Sequence, residues 1–498
     1  MASIEELKDV RLSKIEKLKE AGMEPYAHDF SYTHTVSQIL EQFEELSNNG
    51  ETVTLVGRVM GIRGQGAIMF IPFNDGTGEF QAVLKKGELD DDKMNLFVDT
   101  IDGADFISLT GTLFKTERGA QSLLVKDWTI LTKALRQLPD KYHGIQDTEE
   151  SYRKRYLDIL MDKDVKDRFI LRSKIISAIR KYFDAKDFLE IETPILQNQA
   201  GGAMAKVFET YHNDYQMPMV LRIALELDHK ILTTAGFNRV YEIGKNFRNE
   251  GSDPTHIQEF TMIEWYSAYT TLDENILWTE ELLKMLARDV VGKTTFTVYD
   301  KEDNAHEVDF AGEWSKIPFN QLIKQSAGIE VSASLEDIQS KAIEYGMDKA
   351  EAMKTGKGNL LDHIFKKAVR INLIQPTFVL DYPSDLKPLA IQNGDGTARV
   401  AQLVIAGAEI TNQYAELVDP TIQRKLLEDQ AKAKEGGDAE AMSIDERFLT
   451  AMEHGMPPQT GFGMGIDRLV AIFTEQKNLR DVVFFPILKP EINLKNKE

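Results

Sequence analysis

Cysteine is absent from the 498-residue chain, so neither a disulfide framework nor a thiolate metal site can form. Histidine is sparse. The nine present (His28, His34, His143, His212, His229, His256, His306, His363 and His454) include no HxxxH or HExxH pair, which argues against a structural zinc site. No stretch approaches the roughly 18–20 apolar residues that a membrane span requires. The opening MASIEELKDVRLSKIEKLKE interleaves charges with helical apolar spacing and lacks the apolar core of a secretory signal. A cytoplasmic location is therefore expected. Both glycine signatures of nucleotide binding, GxxxxGK[ST] and GxGxxG, are missing as well. Basic charge is in deficit, with 59 Lys and Arg against 80 Asp and Glu and a net charge of −21. That excludes indiscriminate nucleic-acid binding but leaves room for a specific RNA held by local patches.

What is present suffices for packed cores: 42% of residues are apolar and 28% charged. The length calls for two or three domains. Residues 1–48 read as a helical extension, amphipathic around 15–18 and 36–46 and broken by Asn48, Asn49 and Gly50. From 49 to 135 the pattern changes to five short strands, VTLVGRVMGI, AIMFIPF, GEFQAVL, DFISLTGTLF and QSLLVKDWTIL. Turns such as NDGTG and ERGA separate them, which predicts a small barrel of the OB type. Such barrels bind single-stranded nucleic acid, although a purely structural barrel carries the same pattern. Residues 136–150 read as a linker. An α+β domain is expected from 151 to 498, with a helix at 163–187 and a strand, FLEIETP, ending at Pro194. Further strand signals fall at 239–250, 258–267, 377–381, 401–416 and 459–465, and a mostly helical insertion spans 319–373.

Three constellations could carry chemistry. In 239–269, alternation places Glu242, Asn246, Arg248 and Glu250 on one strand face and Phe260, Met262, Glu264 and Tyr266 on one face of the next. A hairpin would set these faces side by side, and the charges must then meet a ligand or each other. Arginine suits phosphate oxygens and an aromatic ring suits a purine. In TGFGMGIDRLVAIF, Gly461, Gly463 and Gly465 leave one strand face bare. Arg468 follows in the first helical turn, where an anionic phosphate is favoured; close helix–strand packing would explain the glycines equally. In QLVIAGAEITNQYAELVD, Glu409, Asn412 and Glu416 could hold Mg²⁺ or an ammonium, or form a solvated loop. Simple alternation cannot put all three on one face, so a bend near Gly407 or Asn412 is required.

Together these segments resemble the class II aminoacyl-tRNA synthetases. FLEIETP is similar to their first motif, whose proline sits at a dimer interface, FRNE through EFTMIEWY to the second, and GFGMGIDR to the third. The HIGH-like and KMSKS-like signatures of the other synthetase class are absent. The finer resemblance is to bacterial lysyl-tRNA synthetases. It is carried by YHGIQDTEESYRKRYLD, QAGGAMAKVFETYHN, LRIALELDHKILTTAGFNRVYEIGKNFRNEG, FVLDYPSDLKPLA, EITNQYAELVDP and SIDERFLTAMEHGMPPQTGFGMGIDRLV.

The resemblance implies an N-terminal OB-fold anticodon-binding barrel followed by a catalytic domain built on an antiparallel sheet flanked by helices. It further implies ATP, L-lysine and tRNA(Lys) as substrates, Mg²⁺ as cofactor and a homodimer. Arg248 and Arg468 are the implied catalytic cations, Arg248 on the α-phosphate and Arg468 on the γ-phosphate and one adenine face. Phe260 stacks on the other face, with Glu250, His256 and Gly465 completing the nucleotide site. Glu409 binds Mg²⁺, and Gln402 stands where a second metal-binding glutamate is usual. Gly202 and Glu226 receive the α-amino group of lysine, and Glu416 and Tyr266 its ε-ammonium, with Glu264 and Asn412 alongside. Phe70, Gln81 and Arg63 match anticodon positions. The chain departs from the family pattern at Leu225, Thr255, Ile257 and Gln258, and in the barrel at Ile62 and Ala120. A buried Glu416 must be paired, and the lysine ammonium is the expected partner. The alternatives are an aspartyl or asparaginyl enzyme, an enzyme that lysylates protein, and a catalytically silent homologue.

Overall fold

Ser3 and Thr35 open the two N-terminal helices, Ile4–Glu20 and Val36–Asn48, each in a capping box, with Glu6 and Gln38 respectively. In the computed structural model, which describes residues 3–64, 67–139, 144–199, 201–203, 205–435 and 443–490, Gly22 at φ +77° ends the first helix. The extension is thus two helices joined by a non-helical segment, not one helical run. The chain divides into two compact units, Met1–Gln146 and Asp147–Glu498.

In the first unit the strands Thr52–Val59, Ile68–Asn74, Glu79–Lys85, Phe106–Lys115 and Gln121–Thr132 close a barrel in the order first, second, third, fifth, fourth. Their burial alternates with the period of two that a half-buried strand requires. The helix Asp91–Thr100, capped by Asp90, covers the barrel core and sets Phe97 edge-on to Trp128 at 5.1 Å. Residues 140–143 of the expected linker lie outside the described residues; the helix Thr148–Arg153 follows.

The second unit is built on an eight-stranded sheet. Its order is Ser315–Pro318, Thr377–Pro383, Thr397–Ile405, Ala408–Ala415, Gln459–Gly465, Glu259–Ala268, Arg239–Phe247 and Leu189–Glu190, antiparallel except at the two edge pairs. The odd-numbered Ile263 and Trp265 join Tyr241, Phe183, Ile276 and Phe462 in the main core, beneath the helices Lys163–Asp184 and Leu272–Met285. The even-numbered residues of Glu259–Ala268 therefore face the other side, where the cleft lies. The insertion helices Phe319–Ala327, Leu335–Glu344, Lys349–Ala352 and Lys357–Ala368 pack around their own core of Phe319, Ile364 and Phe365. No helix among the described residues is long and apolar enough to cross a membrane.

Several strand limits differ from the sequence reading for local reasons. FLEIETP pairs only at Leu189–Glu190. Beyond it Thr193 turns aside to donate N–H and Oγ1–H to Glu242 Oε2, at 3.1 and 2.7 Å. The strand expected to reach 250 stops at Phe247, whose N–H goes to Arg222 O (3.0 Å), while the N–H of Arg248 goes to Gln258 O (2.9 Å). The 401–416 segment is a hairpin of Thr397–Ile405 and Ala408–Ala415. Its two-residue turn, Ala406 (φ 46°) and Gly407 (φ 71°), is left-handed at both positions, which matches the twist of the flanking strands.

Candidate functional site

Every residue singled out in the second unit as a substrate contact lines one cleft of about 350 Å³. These are Gly202, Glu226, Arg248, Glu250, His256, Phe260, Glu264, Tyr266, Glu409, Asn412, Glu416, Gly465 and Arg468. Gln402 is not among them; its Nε2 donates to Asn412 Oδ1 at 3.3 Å, one layer behind the cleft wall.

Register explains the convergence. Glu242 lies opposite Glu264 and Asn246 opposite Phe260, so the two expected faces do sit side by side. Glu264 pairs in turn with Gly463 and Tyr266 with Gly461, while Gly463 lies opposite Asn412 and Gly461 opposite Tyr414. The bare glycine strand thus runs as a floor between two functional strands. A Cβ at Gly461 would fall 2.1 Å from Glu416 Oε1 and 2.4 Å from Tyr266 Cε1, so only glycine fits. Gly465 is not confined in this way, its nearest neighbour being Arg468 Cβ at 3.8 Å.

The required bend is a β-bulge. Leu403 pairs with Thr411 but Val404 with Glu409, leaving Ile410 as the extra residue, buried in the main core. The bulge shifts the alternation by one, so Glu409 comes to share the cleft face with Asn412, Tyr414 and Glu416.

At one end the cleft is acidic. Glu226, Glu264 and Glu416 are 7, 4 and 1% exposed. Glu264 accepts from Leu225 N–H (3.2 Å) and Tyr266 O–H (3.3 Å). Burial first, and the neighbouring carboxylates after it, push both Glu264 and Glu416 up to about 8. Lys230, one helical turn beyond Glu226, is fully buried, and its Nζ lies 2.5 Å from Glu226 Oε1 and 2.5 Å from Glu416 Oε2. This corrects the expectation that Glu416 waits for a substrate ammonium alone: the helix Glu226–Thr234 delivers an internal one. Neither carboxylate oxygen of Glu416 has a hydrogen-bond partner among the described residues; Oε2 is ion-paired with Lys230, and Oε1 faces the Gly461 floor.

Glu242, although on the same sheet face, is satisfied internally. Arg222 Nη1 lies at 2.7 Å, His229 Nε2 at 3.2 Å, and Thr193 adds two more donors. Gly244 makes room for that guanidinium, since a Cβ there would meet Arg222 Nη2 at 2.3 Å. Asn246 is also fully buried and lies outside the cleft.

The other end is cationic. Arg248 lies over the Phe260 ring, 5.2 Å from its centroid. Arg468 donates to Glu409 O at 2.5 Å and to Thr255 O at 3.5 Å, which links the Ala408–Ala415 strand to the loop that carries Thr255. Its neighbour Asp467 anchors the helix Ile466–Phe473 through Arg172 Nη1 (2.6 Å) and Thr261 N–H (2.7 Å). His256 is held by Asp253 Oδ2 at 2.9 Å. Burial lowers both guanidinium pKa values, yet arginine stays charged. The Glu409 carboxylate has no ion-pair partner among the described residues, and no group of three or more His, Asp or Glu that could hold a metal by itself occurs among them. One free carboxylate fits Mg²⁺ shared with phosphate oxygens, the usual arrangement for this ion. Gln402, a neutral amide turned toward Asn412, does not fit a ligand role of its own.

Sequence reasoning missed Lys230 and also Lys387, a buried cleft residue whose ammonium lies 5.3 and 5.4 Å from the Tyr382 and Tyr414 ring centroids. Lys387 donates a long bond, 3.4 Å, to Tyr414 Oη. The spacing of Glu226 and Lys230, four residues apart on one helix, was the available signal for the first; no pattern marks the second.

In the barrel unit, Arg63 and Phe70 exchange backbone hydrogen bonds (3.0 and 2.8 Å), which sets them side by side. Phe70 lies opposite Val83 and Gln81 opposite Pro72, both on the half-exposed outer face. Gln81 Nε2 donates to Ser122 Oγ at 2.9 Å. Arg58, 4.4 Å over the Phe106 ring, extends this face.

Comparison with known proteins agrees with both units. Residues 147–489 match the family model described as tRNA synthetases class II (D, K and N), and residues 53–131 that of an OB-fold nucleic acid binding domain. The chain is 41% identical over 503 residues to a lysine–tRNA ligase of Trichormus variabilis, covering 98% of this chain and 89% of the relative. It is also 41% identical over 492 residues to the lysine–tRNA ligase of Carboxydothermus hydrogenoformans, covering 98 and 99%.

Proposed function

We infer that this chain, which belongs to the class II tRNA synthetases, is a lysine–tRNA ligase that activates L-lysine with ATP and transfers it to tRNA(Lys). The observation that carries the substrate is a charge count. Three buried carboxylates, Glu226, Glu264 and Glu416, have one ammonium, that of Lys230, within ion-pairing distance among the described residues. With all three ionised two negative charges remain, and lysine brings the two ammonium groups that match them. An amino acid with a neutral or acidic side chain leaves a buried carboxylate unpaired, which costs several kcal/mol.

In this reading Gly202 and Glu226 receive the α-ammonium, and Glu416 Oε1 and Tyr266 the ε-ammonium. The aliphatic chain lies over the Gly461 floor between Tyr266 and Tyr414. Adenine stacks on Phe260, with Arg468 on its other face, and Glu250, His256 and Gly465 border the nucleotide. The lysine carboxylate attacks the α-phosphorus in line and pyrophosphate leaves. The adenylate then passes its acyl group to the terminal ribose hydroxyl of tRNA, and AMP leaves. No side chain acts as nucleophile; Arg248 and Arg468 position and neutralise the phosphates. Glu409 would hold Mg²⁺, which would supply further charge neutralisation.

The outer barrel face with Phe70, Gln81 and Arg63 reads the anticodon by stacking and hydrogen bonding. Exposed Leu189, Ile195 and Leu196 around Pro194 support pairing with a second copy of the chain. We place the enzyme in the cytoplasm with its tRNA. ATP–pyrophosphate exchange, run with Mg²⁺ and each of the twenty amino acids, tests the assignment. Exchange with lysine alone is expected. Exchange with aspartate or asparagine, and not lysine, would overturn the pocket, and none at all would overturn the enzyme.

A further inference from the structure

We propose that Lys230 is a specificity-determining residue of the amino-acid pocket: it holds Glu416 by one oxygen and thereby presents the other to the side-chain ammonium of the substrate. The inference rests on the lysine reading above and adds to it a residue that does not itself need to touch the substrate.

The geometry separates this role from ordinary helix stabilisation. A lysine paired only along its own helix needs one carboxylate, and Glu226, four residues earlier, would suffice. Lys230 makes a second contact of the same length to Glu416, which follows a different strand and is 1% exposed. The ammonium is enclosed, 6.0 Å from the Tyr266 ring centroid and 5.8 Å from that of Phe448, and its side chain is fully buried. It therefore stays in place when the cleft fills. Oε2 is engaged in the ion pair with Lys230, and Oε1 lies over Gly461, where no Cβ intrudes; neither oxygen has a hydrogen-bond partner among the described residues. A hydrogen-bond acceptor buried without a partner is costly unless a ligand supplies the donor.

Lys230 also sets the number of charges that the ligand must bring. With it, the three ionised carboxylates match a dication; without it, they carry one negative charge too many, and Glu416 would hold its proton to still higher pH. The charged and titratable groups around the pair are Glu226 and His229 on the same helix, Glu264 and Tyr266 on one strand, Tyr414 on the strand beyond the glycine floor, and Lys387 in the cleft wall. His229 is committed to Glu242 and Lys387 lies against two tyrosine rings, so neither replaces Lys230.

The test is steady-state ATP–pyrophosphate exchange by the full-length enzyme and its Lys230→Met variant, with lysine varied from pH 6.5 to 9.5. Wild type must first activate lysine; if it does not, the functional reading fails and this inference with it. Given that activity, Lys230→Met is expected to raise the KM for lysine about tenfold or more. The kcat and the KM for ATP should stay within about threefold, and the acid limb of kcat/KM should move about one pH unit or more upward. A wild-type KM and pH profile in the variant overturns the proposal. Should Lys230→Met fail to fold, Glu416→Gln is compared with the Lys230→Met/Glu416→Gln pair. Equal lysine KM values support action through Glu416, and a further multiplicative loss in the pair refutes it.

Discussion

The ammonium of Lys230 lies 2.5 Å from a carboxylate oxygen of Glu226 and 2.5 Å from one of Glu416, so one internal cation joins a helix to the end of a central strand at the floor of the cleft. A lysine of the protein thus sits beside the place where a lysine is to be recognised. The pocket is in this sense partly filled before the substrate arrives, and several outcomes follow from how little free space and free charge remain.

Gly461→Ala should abolish productive lysine binding. The added Cβ would fall 2.1 Å from Glu416 Oε1 and 2.4 Å from Tyr266 Cε1, forcing both out of position. A loss of about a hundredfold or more in kcat/KM for lysine is expected, with ATP affinity by calorimetry nearly unchanged. A variant with wild-type lysine kinetics would remove Glu416 from the pocket.

The vacant pocket should become a burden on the fold as pH rises. Glu264 and Glu416 are held up to about 8, far above the usual carboxylate range, so the folded state keeps protons that the unfolded chain loses. Their contribution to stability is fully present below about pH 4.5 and is lost as pH climbs through about 8. Lysine, by pairing with the carboxylates, relieves this. The rise in Tm caused by saturating lysine is expected to be larger at pH 8.5 than at pH 6, read by differential scanning calorimetry; a smaller rise at the higher pH would contradict the charge count.

Arg248→Ala should reduce ATP–pyrophosphate exchange by about two to three orders of magnitude, because it removes a fixed cation from developing phosphate charge. Circular dichroism should be unaltered, since Arg248 lies beyond the end of its strand and its guanidinium makes long hydrogen bonds, 3.4 Å, to Ile223 O and rests on the Phe260 ring. Substantial retained exchange would take Arg248 out of the mechanism.

Phe70→Ala separates the two units. It should leave lysine-dependent exchange at wild-type level while raising the KM for tRNA(Lys) about five- to a hundredfold, the range for losing one base–aromatic stack. Aminoacylation unaffected by the change would argue for a barrel that only supports the fold.

Much of the site could be read from spacing. The alternate glycines, the paired faces of the 239–250 and 258–267 strand signals, and the need for a bend near Gly407 or Asn412 all follow from a period of two. Contacts between distant segments could not be read that way. Glu242 looked like a ligand-facing charge until Arg222, His229 and Thr193 came to it from three separate stretches. Lys387, in an irregular turn with no periodicity, became visible only through the two tyrosines that enclose it. The strand limits depend on similar contacts: the N–H of Thr193 goes to the Glu242 side chain and that of Phe247, the last residue of its strand, to Arg222 O, partners that no local pattern contains.

The extra residue at Ile410 has one more consequence. It divides the Ala408–Ala415 strand into two phases, one carrying Glu409 and the other Asn412 and Tyr414, with Glu416 just beyond, and both face the cleft. Each phase can be rewritten by same-length substitution without rotating the other. Pairing the same residues without the bulge would turn one half of the strand inside out, whereas deleting Ile410 would straighten the ladder and keep Glu409 and Asn412 on one face.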